Sequence, residues 1–331
     1  MVSTRTKVRA VAIAVVILTN VIVWGWFAFL LSKSELVGSR RPRTIELSPD
    51  EKVRVQRLKA TIETLRPLHQ KLGEPQPGDW LAEHNEAGQT FDDYLGWCPD
   101  RPRADRPFIY IQPLGEFTEK QREIVTQTGR YMEAHFCMPV KVNASLPLSD
   151  IPPNARRTHP EWGVEQVLTS HVLLRVLGPR LPEDARVFIG LTAVDLWAGR
   201  GWNFVFGEAV LGGRVGVWSL YRFGDPGSGE EAFRTCLRRM LKISVHETGH
   251  IFAMRHCTLF ECNMCGSNNL PETDRHPLWL CPECMAKLCF ARRADPAERY
   301  KTQAEVCRTL GLEAEAAFLE KSIKALQRVE Q

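Results

Sequence analysis

The chain has 331 residues, of which 44% are hydrophobic and 25% are charged, so it is long enough to form one large folded domain or two modest ones. Its net charge of +4 is small and its Lys and Arg residues form no long block, which argues against nucleic acid as a partner. The composition gives no indication of an oligomer.

An apolar stretch lies near the N-terminus, over residues 8–31, with Arg9 as its one charged side chain. At about 1.5 Å per residue, a helix of this length spans roughly 36 Å, enough to cross a hydrocarbon core of about 30 Å. It is longer than the apolar region of a signal peptide, and no cleavage site of small residues follows it. We therefore expect residues 1–32 to form a single-pass membrane anchor. Basic residues flank both ends, so the flanks do not predict the membrane face of the remaining chain.

Residues 33–76 begin as a polar, basic stretch that is typical of a juxtamembrane linker. A single helix is predicted within this segment, over residues 51–72. The apolar positions at helical spacing are Val55, Leu58, Ile62 and Leu65.

Beyond residue 107, strand patterns and helix patterns alternate. Strand patterns cover residues 108–113, 140–142, 187–191, 203–210 and 214–221. Helix patterns cover residues 118–135, with Thr118 as the N-cap, 164–177 and 230–253. This mixture predicts an α+β fold with α/β-type layers of sheet and helix. Near the C-terminus, Gly311 separates a helix opened by Asp295 from a second helix over 313–329, which predicts a helical hairpin.

Two histidines four residues apart, His246 and His250, end the long predicted helix within the sequence HETGH. They lie one turn apart on one helical face, so both imidazoles can reach one metal ion. A chance HExxH is common, but His256 adds a third imidazole and leaves Zn²⁺ one open position for water, as a catalytic site requires. Glu247 lies beside the first ligand and is placed to act as general base on that water. Met264 follows at a spacing that suits a Met-turn.

Six of the ten cysteines lie between positions 257 and 289, with two-residue gaps that favour thiolate metal ligands over a disulfide framework. Four thiolates can close a tetrahedral structural zinc site. One candidate quartet is Cys257, Cys262, Cys281 and Cys284. The competing quartet has Cys265 in place of Cys257, and generic ribbon-like spacing slightly favours it. Disulfides are the third possibility.

The combined motifs HETGHIFAMRHC, TLFECNM and CPEC resemble the archaemetzincins, whose motif is HExxHxxGxxHC, then x4-C-x-M, then a later C-x2-C. Further segments that carry the resemblance are PGDWLAEH, GQTF, FIYIQPLGEF, GLTAVDLW, NFVFGEAV and RVGVWSLYRF. The resemblance therefore runs from about residue 77 to the C-terminal hairpin. It predicts a metallopeptidase domain over residues 77–330.

The resemblance implies two zinc ions per chain, one catalytic and one structural. The residues implied are His246, His250 and His256 for the catalytic zinc, Glu247 as base, and Cys257, Cys262, Cys281 and Cys284 for the structural zinc. The implied fold is that of a metzincin, a twisted mixed sheet packed with helices and a cleft between two subdomains. Residues 203–210 would then form an edge strand, which either pairs with an extended peptide or has a purely structural role.

Two features depart from the family pattern. Ala253 replaces the motif glycine, and a left-handed turn at alanine would cost about 1 kcal/mol. The apolar N-terminal stretch is the second departure, since the family resembles intracellular proteins without a membrane anchor.

The leading prediction is a zinc metallopeptidase that acts on peptides. The first alternative is a catalytically weak zinc protein that binds peptides or partners through the same cleft. The presence of Glu247 argues against it, because binding alone needs no base. The second alternative is a zinc-ribbon interaction module in which the HExxH sequence is incidental.

Overall fold

The structure is a computed structural model that describes residues 46–97 and 100–328. The predicted membrane anchor, residues 1–32, lies outside the described residues. Within the described ranges, no helix is both long and apolar enough to cross a membrane.

The strands of the described chain form two sheets. They are β1 (Phe108–Leu114), β2 (Val140–Val142), β3 (Arg156–Thr158), β4 (Glu165–Leu168), β5 (Ala185–Thr192), β6 (Asp195–Trp197), β7 (Gly207–Ala209) and β8 (Val215–Ser219). The larger sheet has the order β2-β1-β5-β8-β7. Its first four strands are parallel, and β7 runs antiparallel to β8 at the edge. The smaller sheet has the order β3-β4-β6.

Helices cover both faces of the larger sheet. They are α1 (Pro49–Leu65), α2 (Trp80–Glu83), α3 (Phe91–Trp97), α4 (Glu119–Phe136), α5 (Thr169–His171), α6 (Glu230–Ile251), α7 (Leu270–Arg275), α8 (Pro282–Arg292), α9 (Pro296–Thr309) and α10 (Glu313–Gln327). A π-helical segment, Val172–Leu177, continues directly from α5. The mixed α/β architecture predicted from the sequence is confirmed.

Alternating side chains of the parallel strands divide the interior into two cores. Ile111 and Ile189 face the larger core, which also contains buried residues of α4 and α6. Phe188 and Val217 face the smaller core beneath the π-helical segment. The sheet therefore holds α6, the helix that carries the HETGH sequence, along one of its buried faces.

The local signals at the start of α4 predict its boundary well. Thr118 is the N-cap and accepts a hydrogen bond from the backbone N–H of Gln121, whose side chain bonds back to the N–H of Thr118. This reciprocal capping box satisfies two backbone donors that have no partner inside the helix. The predicted strand 140–142 is likewise present, and α9 and α10 pack together as the predicted hairpin.

Two segments of the predicted α/β region differ from their predictions. Residues 164–177 were expected to be helical throughout, but they begin as β4 because residues 165–168 pair with both β3 and β6. Residues 203–210 were expected to form a strand throughout, and only Gly207–Ala209 does so. In both cases tertiary pairing, rather than the local apolar pattern, determines the structure.

The helix predicted within residues 33–76 packs on the main body of the chain. Its apolar positions are buried, and it ends at Leu65 rather than at residue 72. A single 3₁₀ turn, Arg66–Leu68, follows it. Arg54 on α1 donates hydrogen bonds to the carbonyl oxygens of Cys289 and Ala294 at 2.9 and 2.7 Å.

The turn that follows α6 contains Ala253 in a left-handed conformation, with φ of 64°. This confirms the expectation drawn from the missing motif glycine. The Ala253 methyl group is buried, with the residue 5% exposed.

Replacing Ala253 with glycine is expected to change the free energy of unfolding by less than about 1 kcal/mol. Relief of left-handed strain favours glycine by about 1–2 kcal/mol. Glycine also makes the unfolded chain more flexible, which opposes this gain by about 0.4–1 kcal/mol. Loss of the buried Ala253 methyl group opposes it by about 0.8 kcal/mol. Denaturant titration of both proteins measures the difference. A larger gain in stability would show that strain exceeds the two opposing effects.

Candidate metal centre

Three imidazole rings meet at the end of α6. His246 and His250 lie one helical turn apart, and the chain turns back through Ala253 to bring His256 beside them. The ring centroids of the three residues are 4.7, 5.1 and 5.0 Å apart. One ligand nitrogen from each ring lies within 4.8 Å of the others. Alanine at the motif glycine position therefore does not displace His256 from the trio.

Each imidazole is oriented by a hydrogen bond from its Nδ1. His246 donates to the carbonyl oxygen of Asn263 at 2.9 Å, and His250 donates to that of Met254 at 2.8 Å. His256 donates to the carboxylate of Glu86, at 2.8 and 3.0 Å from its two oxygens. Because all three acceptors lack a proton, Nδ1 carries the hydrogen and Nε2 keeps its lone pair in each neutral ring.

The donor set fits a zinc ion. The Nε2 atoms of His246 and His250 are 3.1 Å apart, and two lone pairs at this distance repel unless a cation lies between them. Two nitrogens that are each about 2.0–2.1 Å from one tetrahedral zinc are separated by roughly 3.3 Å. Burial and the two neighbouring imidazoles hold the pKa of His246 well below its usual range, and burial lowers the pKa of His250 to about 4. Both rings are therefore neutral, as metal ligands must be.

The trio lies in a cleft of about 670 Å³ between α6 and the edge strand β7. Glu247 also lines the cleft and is 9% exposed. A Cβ atom on Gly207 of β7 would lie 3.0 Å from Cγ of Glu247 and 2.9 Å from Cβ of Trp218. The missing side chain at Gly207 thus allows the backbone of the edge strand to approach the Glu247 carboxylate closely.

Burial raises the pKa of Glu247 to about 8, with a smaller contribution from the nearby carboxylate of Glu208. Glu208 lies on β7, accepts a hydrogen bond from the Thr169 hydroxyl, and has its own pKa raised by burial. A cation held by the adjacent imidazoles would favour the ionised form of Glu247. It would therefore oppose the effects of burial and of Glu208 on the Glu247 pKa.

Met264 is fully buried beneath the trio, as the Met-turn prediction requires. A Cβ atom on Gly249, inside the HETGH sequence, would overlap the Met264 sulfur. The backbone N–H of Cys257 donates to the carbonyl oxygen of Met264 at 2.8 Å, which closes the loop between them. Gly249 therefore leaves room for a methionine directly against the metal-binding helix.

Four buried cysteines converge next to the histidine site. The sulfur atoms of Cys257, Cys262, Cys281 and Cys284 lie within 4.8 Å of one another. Backbone N–H groups of Met264 and Cys281 point at the Cys262 sulfur at 3.5 and 3.1 Å. No disulfide forms among the cysteines that the structure describes.

Cys265, the alternative ligand, lies outside this quartet. Its sulfur is 3.4 Å from the carbonyl oxygen of Phe260, and the residue lines the cleft. The geometry therefore favours the quartet that contains Cys257.

No sequence pattern predicts Glu86, the partner of His256, as part of the site. The residue lies 170 positions before His256, so no spacing rule links the two. A carboxylate that accepts from the second nitrogen of a metal-binding histidine fixes the ring and raises its basicity. Trp80, from the same N-terminal segment, packs edge-on against the His256 ring at 5.0 Å.

Replacing Glu86 with alanine is expected to weaken zinc binding at the histidine site by about 10–100-fold, because His256 loses its orienting carboxylate. Competition with a chelator of known affinity measures the change. Glu83→Ala is the matched control, since Glu83 accepts a hydrogen bond from Asn268 and contacts none of the three imidazoles. Equal zinc affinity in both variants would exclude this role for Glu86.

Comparisons with known proteins identify similar chains. The family model described as Peptidase family M54 matches residues 185–289. Human archaemetzincin-2 is 33% identical over 257 residues, which cover 68% of this chain and 71% of that protein. Archaemetzincin of Archaeoglobus fulgidus is 33% identical over 185 residues, covering 55% of this chain and 99% of that protein. The crystal structure of the Archaeoglobus fulgidus protein complexed with malonate matches 54% of this chain with 29% identity and a TM-score of 0.44.

The family model and the two archaemetzincin sequences, together with a histidine trio that fits zinc, make the protein a zinc metallopeptidase. Its similarity to human archaemetzincin-2 extends over 68% of this chain and 71% of that protein. The chain belongs to the archaemetzincin family.

Proposed function

We propose that the cleft is the peptidase active site, with the catalytic zinc held by His246, His250 and His256 and with Glu247 as general base. The proposal depends on the convergence of three Nε2 atoms. In each of the three rings, Nδ1 is already used in a hydrogen bond. When bound there, a zinc ion would supply Lewis-acid chemistry to the scissile carbonyl and to the attacking water.

The residues of this chain then orient the reactants and move a proton. Glu247 accepts the proton of the attacking water on its carboxylate and returns it to the nitrogen of the leaving amine. Asn263, Met254 and Glu86 hold the three rings through Nδ1, so that the imidazoles do not turn during the reaction.

An extended peptide is the substrate that suits the cleft. Strand β7 pairs with β8 on one side only, so its other edge offers free backbone groups for strand addition. Gly207 lies in this strand next to Glu247, which places a paired peptide close to the base. This supports a role for residues 207–209 in binding substrate.

A second, structural zinc is proposed on Cys257, Cys262, Cys281 and Cys284. Four thiolates leave no open position on a tetrahedral ion, so this site would stabilise the loop rather than take part in the reaction. All four residues are buried, in contrast to the histidines in the open cleft.

Metal analysis combined with peptide cleavage tests the proposed function. We expect two zinc ions per chain and cleavage of peptides from a mixed library. Brief chelation should remove the ion from the open cleft first and abolish cleavage, and one equivalent of zinc should restore it. Full activity after removal of all zinc would overturn the proposal. Peptide binding without any cleavage would support the alternative of a binding protein.

The proposals for the N-terminal segment rest on the sequence alone. We propose that residues 1–32 anchor the chain in a membrane, that residues 33–76 form a linker and helix, and that residues 77–330 form the peptidase domain. Alkaline carbonate extraction of membranes tests the anchor. The full chain should stay in the membrane pellet, whereas a chain without residues 1–44 should be released. Release of both would exclude an anchor.

A further inference from the structure

One end of the cleft, on the N-terminal side of His246, is lined by Lys242 and His276. Lys242, His246 and His250 are spaced by four residues and therefore share one face of α6. A spacing of four residues corresponds to about 6 Å along the helix axis. Lys242 thus lies on the same face of α6 as the metal-binding imidazoles, one turn before His246.

The Lys242 ammonium is buried and has no anionic partner. The residue is 4% exposed, and its Nζ donates to the carbonyl oxygens of Thr273 and Asp274 at 2.9 and 3.1 Å. An ammonium has three donors, so one N–H remains. Among residues 46–97 and 100–328, no carboxylate forms an ion pair with it. Burial lowers the pKa of Lys242 to about 8, which shows that the charge lacks full compensation.

His276 supplies a second polar group without a partner. Its Nδ1 bonds the Glu261 carboxylate at 3.0 Å. Its Nε2 is buried and has no hydrogen-bond partner in the described chain. Buried polar atoms usually have a partner, so this nitrogen is available to a group that binds in the cleft.

The carboxylates around this end of the cleft already have partners of their own. Asp274 pairs with Arg239 at 2.6 Å, and Glu261 with His276. Glu272 accepts hydrogen bonds from two backbone N–H groups, at 2.7 and 2.8 Å. A carboxylate from outside the chain would therefore be the natural partner of Lys242.

We propose that this end of the cleft is a subsite for an acidic side chain, carried by the substrate residue next to the cleaved bond. The proposal rests on the proposed peptidase function and adds a substrate class to it. Lys242 binds the carboxylate with its remaining N–H, and the His276 ring lines the same end of the cleft.

Paired peptides test the subsite during turnover. The two peptides are identical except for Glu or Gln at one position, tested on each side of the cleaved bond. Glu and Gln have the same shape, so the ratio of their kcat/KM values reports the charge. We expect wild type to favour the Glu peptide by at least tenfold in kcat/KM at one position. Lys242→Met should bring the Glu/Gln ratio near one. Lys242→Arg should retain most of the wild-type preference. A ratio measured within one variant is insensitive to its folded fraction.

Paired inhibitors test the same subsite without turnover. Glutamyl and glutaminyl hydroxamates carry a zinc-binding group beside the acidic or amide side chain. Calorimetry on the zinc-loaded wild-type chain should show at least tenfold tighter binding of the glutamyl compound. Measured zinc content and thermal midpoints of the variants separate loss of the subsite from loss of the fold.

The outcomes distinguish this inference from the peptidase function. Normal cleavage with no preference for Glu, and equal hydroxamate affinities, would overturn the subsite alone. Tighter glutamyl hydroxamate binding without peptide cleavage would support the subsite and count against the peptidase function. If Lys242→Met lowers stability but leaves the Glu/Gln ratio unchanged, Lys242 serves only to bind the last carbonyls of α7, and the proposal fails.

Discussion

Replacing Glu247 with glutamine is expected to lower kcat/KM for peptide hydrolysis by about 10²–10⁴-fold, the usual contribution of a general base. Glutamine keeps the shape of the side chain against Gly207 but cannot accept the proton of the attacking water. Zinc content should stay at the wild-type value, because Glu247 is not among the converging ligands. Steady-state kinetics on one cleaved peptide, with metal analysis of both proteins, measure the effect.

Glu208→Gln is the matched control, since it makes the same chemical change in a carboxylate of the same cleft. We expect less than a tenfold change in kcat/KM. The Glu208 charge raises the pKa of Glu247, so its removal lowers that pKa. Glu247 then stays ionised to lower pH, so the acid limb of the pH profile of kcat/KM should shift to lower pH. If Glu247→Gln cleaves as fast as wild type, another group is the base.

The histidine trio could be predicted because its members are close together in the sequence. A spacing of four on a helix places two rings on one face, and one turn brings in the third. The contacts that hold the rings are not local in this way. Glu86 contacts His256 across 170 residues, and Lys242 acquires its two carbonyl partners only when α7 packs beside α6.

The two wrong predictions in the α/β region of the fold have the same cause. Residues 165–168 have an apolar pattern that also fits a helix, and their pairing with β3 and β6 makes them a strand. In residues 203–210, aromatic side chains at alternate positions predict a full strand, but only residues 207–209 pair with β8. A period in the sequence records which face is buried. It does not record which neighbour supplies the hydrogen bonds.

The quartet of cysteines shows where spacing rules are insufficient. Cys262 and Cys265 have the two-residue gap of a ribbon, yet the loop folds so that Cys257 joins Cys262 instead. The same loop serves the histidine site, because Cys257 follows His256 directly. The carbonyl oxygen that orients His246 belongs to Asn263, which follows Cys262. The two sites are therefore mechanically linked.

Replacing Cys257 with serine is expected to remove the structural zinc and lower the thermal midpoint by more than about 10 °C. A structural zinc contributes about 10–16 kcal/mol to the folding of small zinc domains, which is comparable with the whole net stability of a domain, about 5–15 kcal/mol. Because the loop also positions His256, occupancy of the histidine site should fall as well. Zinc analysis and thermal unfolding of the purified variant measure both effects.

Cys265→Ser decides between the two quartets, because Cys257 and Cys265 are the residues in which they differ. Both are buried, 3% and 4% exposed, so the two substitutions place a hydroxyl in similar surroundings. The Cys265 sulfur is near the Phe260 carbonyl, and a serine hydroxyl can donate to the same oxygen. We therefore expect Cys265→Ser to keep both zinc ions and to lose less than about 1 kcal/mol of stability. Loss of a zinc from this variant, with retention in Cys257→Ser, would reverse the assignment of the structural site.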